Sequence, residues 1–163
     1  MATPHSTLGK ATFPTVPLDD AQAHDSTLSQ GAPAKTLFGV LPIKRVIPMD
    51  VHSVMDYANS AVYGGSALMT SCPEARIAGL VLAGAGTGVS LMTDYRLSLA
   101  KVIPIEAHEV IDHAWGLMAI AAPFVLGYWK KAPVIAAAHV ITGVGNIVAS
   151  LFTDYRAYSK RKR

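Results

Sequence analysis

Two histidine–aspartate pairs carry the most specific chemistry in this sequence. His52 precedes Asp56 by four residues, and His108 precedes Asp112 by the same interval. Residues four apart lie on one face of an α-helix, so each pair would present an imidazole beside a carboxylate. These groups can form ion pairs, coordinate a metal or a haem iron, or relay protons. The sequence therefore predicts a polar site, and the spacing alone does not choose among these uses.

Further charged residues follow two long apolar stretches at matching places. Asp94 and Arg96 come after the first stretch, and Asp154 and Arg156 come after the second. In a helical hairpin, the end of the second helix lies on the same side as the start of the first, which would bring these residues toward the histidines. The predicted polar cluster, structural or functional, contains His52, Asp56, Asp94, Arg96, His108, Asp112, His113, Asp154 and Arg156.

A structural role is the favoured interpretation of this cluster. Arg96 and Arg156 would bridge to the two helical aspartates and lock the hairpins together. Haem ligation by His52 and His108, one from each pair, is the main alternative. A metal site that adds the aspartates is also open, although the spacing matches no specific ligand motif, and so is a proton relay. His113 has no histidine counterpart in the first pair and breaks the symmetry.

The chain contains two similar units. The tripeptide Val-Ile-Pro precedes both His52 and His108, and seven of thirteen residues in 46–58 match their counterparts 56 positions later. Six of seven residues in 90–96 match those 60 positions later. Two such blocks in the same order indicate a duplicated unit. We assign repeat one to residues 46–96 and repeat two to residues 102–156.

Composition places this duplicated unit in a membrane. Hydrophobic residues make up 51% of the chain and charged residues 15%, whereas about a quarter of the residues in a soluble domain are charged. Each repeat holds two apolar stretches. The predicted fold is therefore all-α: a membrane-embedded four-helix bundle made of two tandem helical-hairpin repeats. The predicted spans run from Val51 to Met69, from Ile77 to Thr93, from Pro104 to Trp129, and from Ala132 to Thr153.

Outside the helices, the chain divides by composition and charge. Basic residues near the predicted helix ends number nine on one side and three on the other, which predicts that both termini lie in the cytoplasm. They form no patch with interleaved aromatic residues, so we expect the lipid bilayer and not nucleic acid as a partner. The predicted parts are a polar, disordered-like tail (1–33), an interfacial segment (34–47), a transmembrane domain (48–156) and a basic tail (157–163).

The repeated motifs resemble one known family. Val-Ile-Pro-x-x-x-His-x-x-x-Asp at a helix start, Ala-Pro-Phe-x-x-Gly at 122–127 and Ser-Leu-x-Thr-Asp-Tyr are similar to the bacterial SPW-repeat membrane proteins, over about residues 46–156. That resemblance implies a small duplicated-hairpin protein and carries over no catalytic residue. The chain departs from the family in having Ala122 where the motif has serine and Phe124 where it has tryptophan.

The expected function is structural. The sequence holds no Ser-His-Asp arrangement, phosphate-binding loop or Cys-His nucleophile pair, so we expect no catalysis, and the motifs require no cofactor. We expect a small integral protein of the bacterial inner membrane that acts as a non-catalytic structural or accessory subunit. Its expected partners are other membrane subunits or further copies of itself, and its polar tail would wrap a partner. The alternative is a haem- or metal-binding protein that transfers electrons or protons.

Overall fold

The computed structural model describes residues 32–37 and 41–155, with side chains described from residue 43 onward. The predicted polar tail lies outside the described residues except at its last two positions, which begin a β-strand. Arg156 and the predicted basic tail, residues 157–163, also lie outside them.

Within residues 41–155 the chain forms four helices, which confirms the predominantly helical class. Pro48 and Pro104 directly precede the first and third helices, and Pro73 and Pro133 begin the second and fourth. Proline suits these places because its fixed φ matches a helix and its missing N–H would have had no helical partner. The helices are α1 (Met49–Leu68), α2 (Pro73–Met92), α3 (Ile105–Val125) and α4 (Pro133–Phe152).

The third helix is shorter than the sequence predicts. It ends at Val125 and not at Trp129. Gly127 has a φ of 72°, a left-handed conformation that glycine adopts without steric cost and that turns the chain out of the helix.

A β-hairpin precedes the helices, in the segment predicted to lie at a membrane interface. Strand β1 (Ala32–Leu37) pairs antiparallel with β2 (Leu41–Arg45), with Leu37 opposite Leu41. Pro33 and Pro42 lie within these strands although proline has no amide to donate to a strand ladder. They are tolerated because both strands of a two-stranded sheet are edge strands.

The two helical hairpins, α1–α2 and α3–α4, are joined crosswise at one end of the bundle. The amides of Val46 and Ile47, before α1, donate to the carbonyl of Phe152 at the end of α4, at 2.8 and 2.9 Å. The amides of Val102 and Ile103, before α3, donate to the carbonyl of Met92 at the end of α2, at 2.9 and 2.8 Å. The segment that leads into each hairpin therefore pairs with the end of the other hairpin.

The helices are polar inside and apolar outside. Buried polar residues include Ser60 on α1 and Asn146 on α4, whereas Val81 on α2, Val110 on α3 and Ile141 on α4 are exposed. Both α2 and α4 are long and apolar enough to cross a membrane, and only 28% and 33% of their apolar windows are buried. A core helix of a soluble protein of that composition would bury most of its surface.

Close helix contact depends on glycine in the second hairpin. A Cβ on Gly116 would lie 2.8 Å from the carbonyl oxygen of Gly143, and one on Gly143 would lie 2.7 Å from that of Gly116. These are backbone atoms, which cannot move aside without separating α3 from α4. Gly145, two residues further along α4, has no heavy atom within 4 Å of the corresponding position.

We therefore expect Gly143→Ala to destabilise the protein by about 1–3 kcal/mol, because it overpacks the α3–α4 contact. Gly145→Ala is the matched control. The same change on the same helix meets open space there, so it should be neutral or stabilising by up to about 1 kcal/mol. Thermal unfolding in a mild detergent, followed by circular dichroism, measures both. Equal stability of the two variants would contradict the close contact.

Candidate functional site

The two histidine–aspartate pairs meet inside the bundle. His52 and Asp56 lie on α1, and His108 and Asp112 lie on α3. All four residues are buried, with exposed fractions of 8% or less. Their ligand atoms, one per residue, all lie within 4.8 Å of one another. We call these four side chains the His/Asp centre.

Each histidine in the centre contacts both aspartates. The Nε2 atom of His52 lies 2.9 Å from Oδ2 of Asp112 and 3.3 Å from Oδ1 of Asp56. The Nε2 atom of His108 lies 3.2 Å from Oδ2 of Asp56 and 3.4 Å from Oδ1 of Asp112. For each histidine the shorter contact is the one that crosses to the other hairpin.

Two threonines fix the orientation of the imidazoles. Oγ1 of Thr153 lies 2.8 Å from Nδ1 of His52, and Oγ1 of Thr93 lies 2.8 Å from Nδ1 of His108. Each threonine hydroxyl also donates its single proton to the carbonyl four residues earlier, Ala149 for Thr153 at 2.7 Å, with the same geometry at Thr93. Each hydroxyl can therefore only accept from the imidazole, so Nδ1 carries a proton and Nε2 faces the carboxylates.

These threonines are functional residues that sequence reasoning missed. Thr93 and Thr153 stand inside the repeated Ser-Leu-x-Thr-Asp-Tyr motif, and they end α2 and α4. The signal that could have identified them is their equivalent position in both units, on the side of the bundle predicted for the histidines.

Two tyrosines complete the walls of the centre. The ring of Tyr155 packs edge-on against His52 with centroids 5.3 Å apart, and Tyr95 packs in the same way against His108 at 5.6 Å. The hydroxyl of Tyr155 donates to Oδ2 of Asp112 at 2.6 Å. Burial, with the nearby Asp112 carboxylate, raises the pKa of Tyr155 far above its usual value, so this phenol stays a hydrogen-bond donor.

A cavity of about 20 Å³ adjoins the centre, between Asp56, His108 and Trp115. Its volume suits one water molecule. Asn146 lines the same cavity and donates to the backbone carbonyl of Asp112 at 2.8 Å. Asn59 donates in turn to the amide oxygen of Asn146 at 3.0 Å. Polar contacts therefore continue from the centre along α1.

The structure does not bring every predicted member of the cluster together. The Arg96 side chain is 79% exposed and lies 4.0 Å from Asp50, so it does not bridge to Asp56 as expected. The chain turns outward after α2 and carries this guanidinium to the rim. Asp94 lies 3.8 Å from Lys101, also at the rim. Asp154 joins the hairpins through its backbone, because its amide donates to the carbonyl of Ile47 at 3.0 Å.

His113 lies at the edge of the centre. Its Nδ1 atom is 2.7 Å from the carbonyl oxygen of Glu109 and 3.4 Å from Oγ of Ser150. The bridge expected from Arg156 falls outside the described residues.

A buried arginine flanks the centre instead. Arg45, one of the nine basic residues counted on the predicted cytoplasmic side, is 4% exposed and pairs with Glu109 on α3. Its guanidinium carbon lies 5.8 Å from the centre of the Tyr155 ring. These contacts tie β2 to the second hairpin, at α3 and at the segment that follows α4.

Haem ligation by His52 and His108 does not fit this arrangement. The imidazole centroids are 6.0 Å apart, and the carboxylates of Asp56 and Asp112 bridge the two Nε2 atoms. A haem iron bound by both histidines would need its porphyrin ring in the space that the carboxylates fill. The adjacent cavity is far too small for the ring. In this arrangement the four residues therefore do not fit the haem alternative.

The remaining buried histidine belongs to a separate network toward the other end of the bundle. His139 contacts the hydroxyl of Tyr128 through Nδ1 at 2.7 Å and Oγ of Ser66 through Nε2 at 2.8 Å. Its ring also packs edge-on against Tyr63. This network contains no carboxylate, and it joins α1 to α4.

No protein-family model matches the chain, and no curated protein or solved structure matches it. The resemblance to SPW-repeat proteins therefore stays a prediction that rests on the quoted motifs.

We expect Asp112→Asn to lower the free energy of unfolding by about 3–5 kcal/mol, since it removes one partner of a buried ionic contact and leaves His52 facing a neutral amide. Asp50→Asn is the matched control. The Asp50 side chain is 54% exposed and lies 4.0 Å from Arg96, so the loss of its charge should cost less than about 1 kcal/mol. Thermal unfolding of the purified variants measures the difference. Similar stability of the two variants would show that the centre does not hold the hairpins together.

Proposed function

We propose that the protein is a small integral membrane protein whose four helices all span the bilayer, and that it serves as a non-catalytic subunit of a larger membrane assembly. The His/Asp centre has a structural role in this proposal, because it joins the two hairpins inside the bundle. A bacterial inner membrane is the location that the family resemblance favours.

One observation carries the membrane part of the proposal: the outward faces of the helices are apolar while the interior is polar. Ile77 on α2 is 60% exposed and Val134 on α4 is 78% exposed. In water, so many exposed aliphatic side chains would be costly, whereas in lipid they face their preferred solvent. The buried hydroxyls, imidazoles and carboxylates then lie where intramembrane polar groups are expected, inside the bundle and paired.

The orientation follows from charge. The turn between α1 and α2 and the turn between α3 and α4 meet at one end of the bundle, where Lys131 pairs with Glu74 at 2.6 Å. The opposite end carries Lys44, Arg96 and Lys101. With the basic C-terminal residues added, the positive-inside rule puts that end in the cytoplasm.

Cys72, the single cysteine, lies in the α1–α2 turn and reports on this orientation. A membrane-impermeant maleimide should label it in intact cells. The matched control is Cys72→Ser combined with Leu99→Cys. Leu99 is 84% exposed in the loop between α2 and α3, so its replacement should react only after the inner membrane is permeabilised. Reversed labelling would invert the topology, and equal labelling of both in a soluble fraction would contradict membrane insertion.

Assembly is supported by the outer surface of α2. Positions 84 and 88 are glycines, and a Cβ at either would meet no atom within 4 Å. Gly79 and Gly86, by contrast, press against α1, with would-be Cβ contacts of 2.7 and 2.9 Å. Small residues that face lipid allow another helix to approach closely. The polar tail, which is poor in apolar residues, is the second element expected to contact a partner.

Deleting residues 2–31 should leave the bundle inserted while weakening its association, because β1 and everything after it stay intact. Native mass spectrometry of the full-length and shortened proteins from mild detergent measures the change. Circular dichroism of both serves as the folding control. A full-length protein that is monomeric and recovered alone from its own membrane would contradict the assembly.

A further inference from the structure

We infer that the His/Asp centre binds one divalent transition-metal ion, with Nε2 of His52 and His108 and one carboxylate oxygen each from Asp56 and Asp112 as its four ligands. Zinc is the ion whose chemistry this ligand set matches best. The inference deepens the proposed structural role, because it names what links the hairpins, but it does not depend on membrane insertion.

The spacing of the ligand atoms suits four-coordination. Zinc binds histidine nitrogen and carboxylate oxygen at about 2.0–2.2 Å, so neighbouring ligands of a tetrahedral site lie roughly 3.3–3.5 Å apart. The two contacts that cross between the hairpins come close to this spacing: Nε2 of His52 lies 2.9 Å from Oδ2 of Asp112, and Nε2 of His108 lies 3.2 Å from Oδ2 of Asp56. The contacts of 3.3 and 3.4 Å are made to the other oxygen of each carboxylate. No ligand atom is more than 4.8 Å from another. To bind one ion, the most widely spaced of these atoms would have to approach each other by up to about 1.3 Å.

The imidazoles are already held in the form that a metal requires. A metal-binding histidine offers one nitrogen to the ion and usually donates its other N–H to a neighbouring acceptor, which fixes the ring. Thr153 and Thr93 are those acceptors here, each 2.8 Å from Nδ1. Their own protons are committed to helix carbonyls. A simple ion pair would not require both rings to be fixed with Nε2 directed at the same point.

Charge also favours a divalent cation. With both carboxylates ionised and both imidazoles neutral, the forms that bind a metal, the buried site would carry a net charge of −2, which is costly unless compensated. One divalent ion gives neutrality and binds all four ligands at once. Two protons would give the same neutrality, so the experiment must separate metal from protons.

The ligand types narrow the choice of ion. Mg²⁺ and Ca²⁺ prefer six or more oxygen ligands and waters. The centre offers two nitrogens, and its adjacent cavity has room for one water molecule. A closed four-ligand site is characteristic of structural zinc, and Co²⁺ can report on the same geometry through its visible absorption.

The test uses the full chain carrying His5→Gln and His24→Gln, which removes the histidines outside the described residues as alternative ligands. The protein is purified in mild detergent, equilibrated with Zn²⁺ and freed of unbound metal. Its zinc content is then measured by inductively coupled plasma mass spectrometry. We expect one zinc ion per chain. A parallel Co²⁺ titration should give the visible bands of tetrahedral nitrogen–oxygen coordination.

Ligand variants and a matched control make the assignment specific. His108→Gln and Asp56→Asn should each weaken binding by roughly 100-fold or more, and Thr93→Val by about 10–100-fold, because it frees the ring that His108 presents. His139→Gln alters a histidine that is equally buried but outside the centre, so it should retain one ion per chain. Circular dichroism confirms that each variant is folded.

A folded parent protein without stoichiometric metal would overturn the inference and leave protons as the link between hairpins. Retention of metal by His108→Gln would overturn it as well. Cysteine labelling tests the membrane proposal independently. Metal-free protein with the expected topology therefore contradicts only this inference, and metal-loaded soluble protein contradicts only the membrane proposal.

Discussion

The structure depends on the need to compensate two buried carboxylates. Asp56 and Asp112 are at most 8% exposed, and each takes its shortest contact to a histidine from the helix of the other hairpin. Burying a carboxylate without a partner costs far more free energy than burying it in a pair. A single hairpin that buried its aspartate without the histidine of the other hairpin would therefore be destabilised. The same carboxylates therefore favour folding of the two hairpins together. This is consistent with the many hydrogen bonds and ionic contacts that join the hairpins at this end of the bundle.

That constraint accounts for the positions of the two repeated motifs. Val-Ile-Pro gives a short extended segment whose amides bond to the end of the other hairpin, and the proline then starts the helix that carries His and Asp on one face. Thr-Asp-Tyr ends the partner helix, where Thr93 and Thr153 orient the imidazoles while Tyr95 and Tyr155 cover them. Each motif supplies half of a contact whose other half lies in the opposite hairpin.

Features that depend on residue periodicity could be predicted from the sequence. Features that depend on the direction of individual side chains could not. The shared face of His52 and Asp56 follows from helix geometry, and hairpin connectivity predicts that the two pairs meet. The outward turn of Arg96 was not predicted because hairpin connectivity suggested a pair with Asp56. The burial of Arg45 was not predicted because a cation ordinarily favours an exposed position. The β-hairpin was missed because its apolar and basic residues were assigned to an interfacial segment. The end of α3 was missed because it depends on the positive φ of Gly127.

The two ends of the bundle differ in charge, and this difference fits the proposed membrane setting. His52 is the fourth residue of α1, so with a rise of about 1.5 Å per residue it lies roughly 5 Å from the helix start. The insertion cost of a charged group falls toward the interface, so in the proposed membrane setting the charged centre would lie where lipid tolerates it best. The network of His139, Tyr128 and Ser66 farther along has no carboxylate. Neutral hydrogen bonds join α1 to α4 in that network. At the charged end, the contacts between hairpins must also compensate two carboxylates. Mispairing of the hairpins would therefore cost more free energy at the centre than at the distal network.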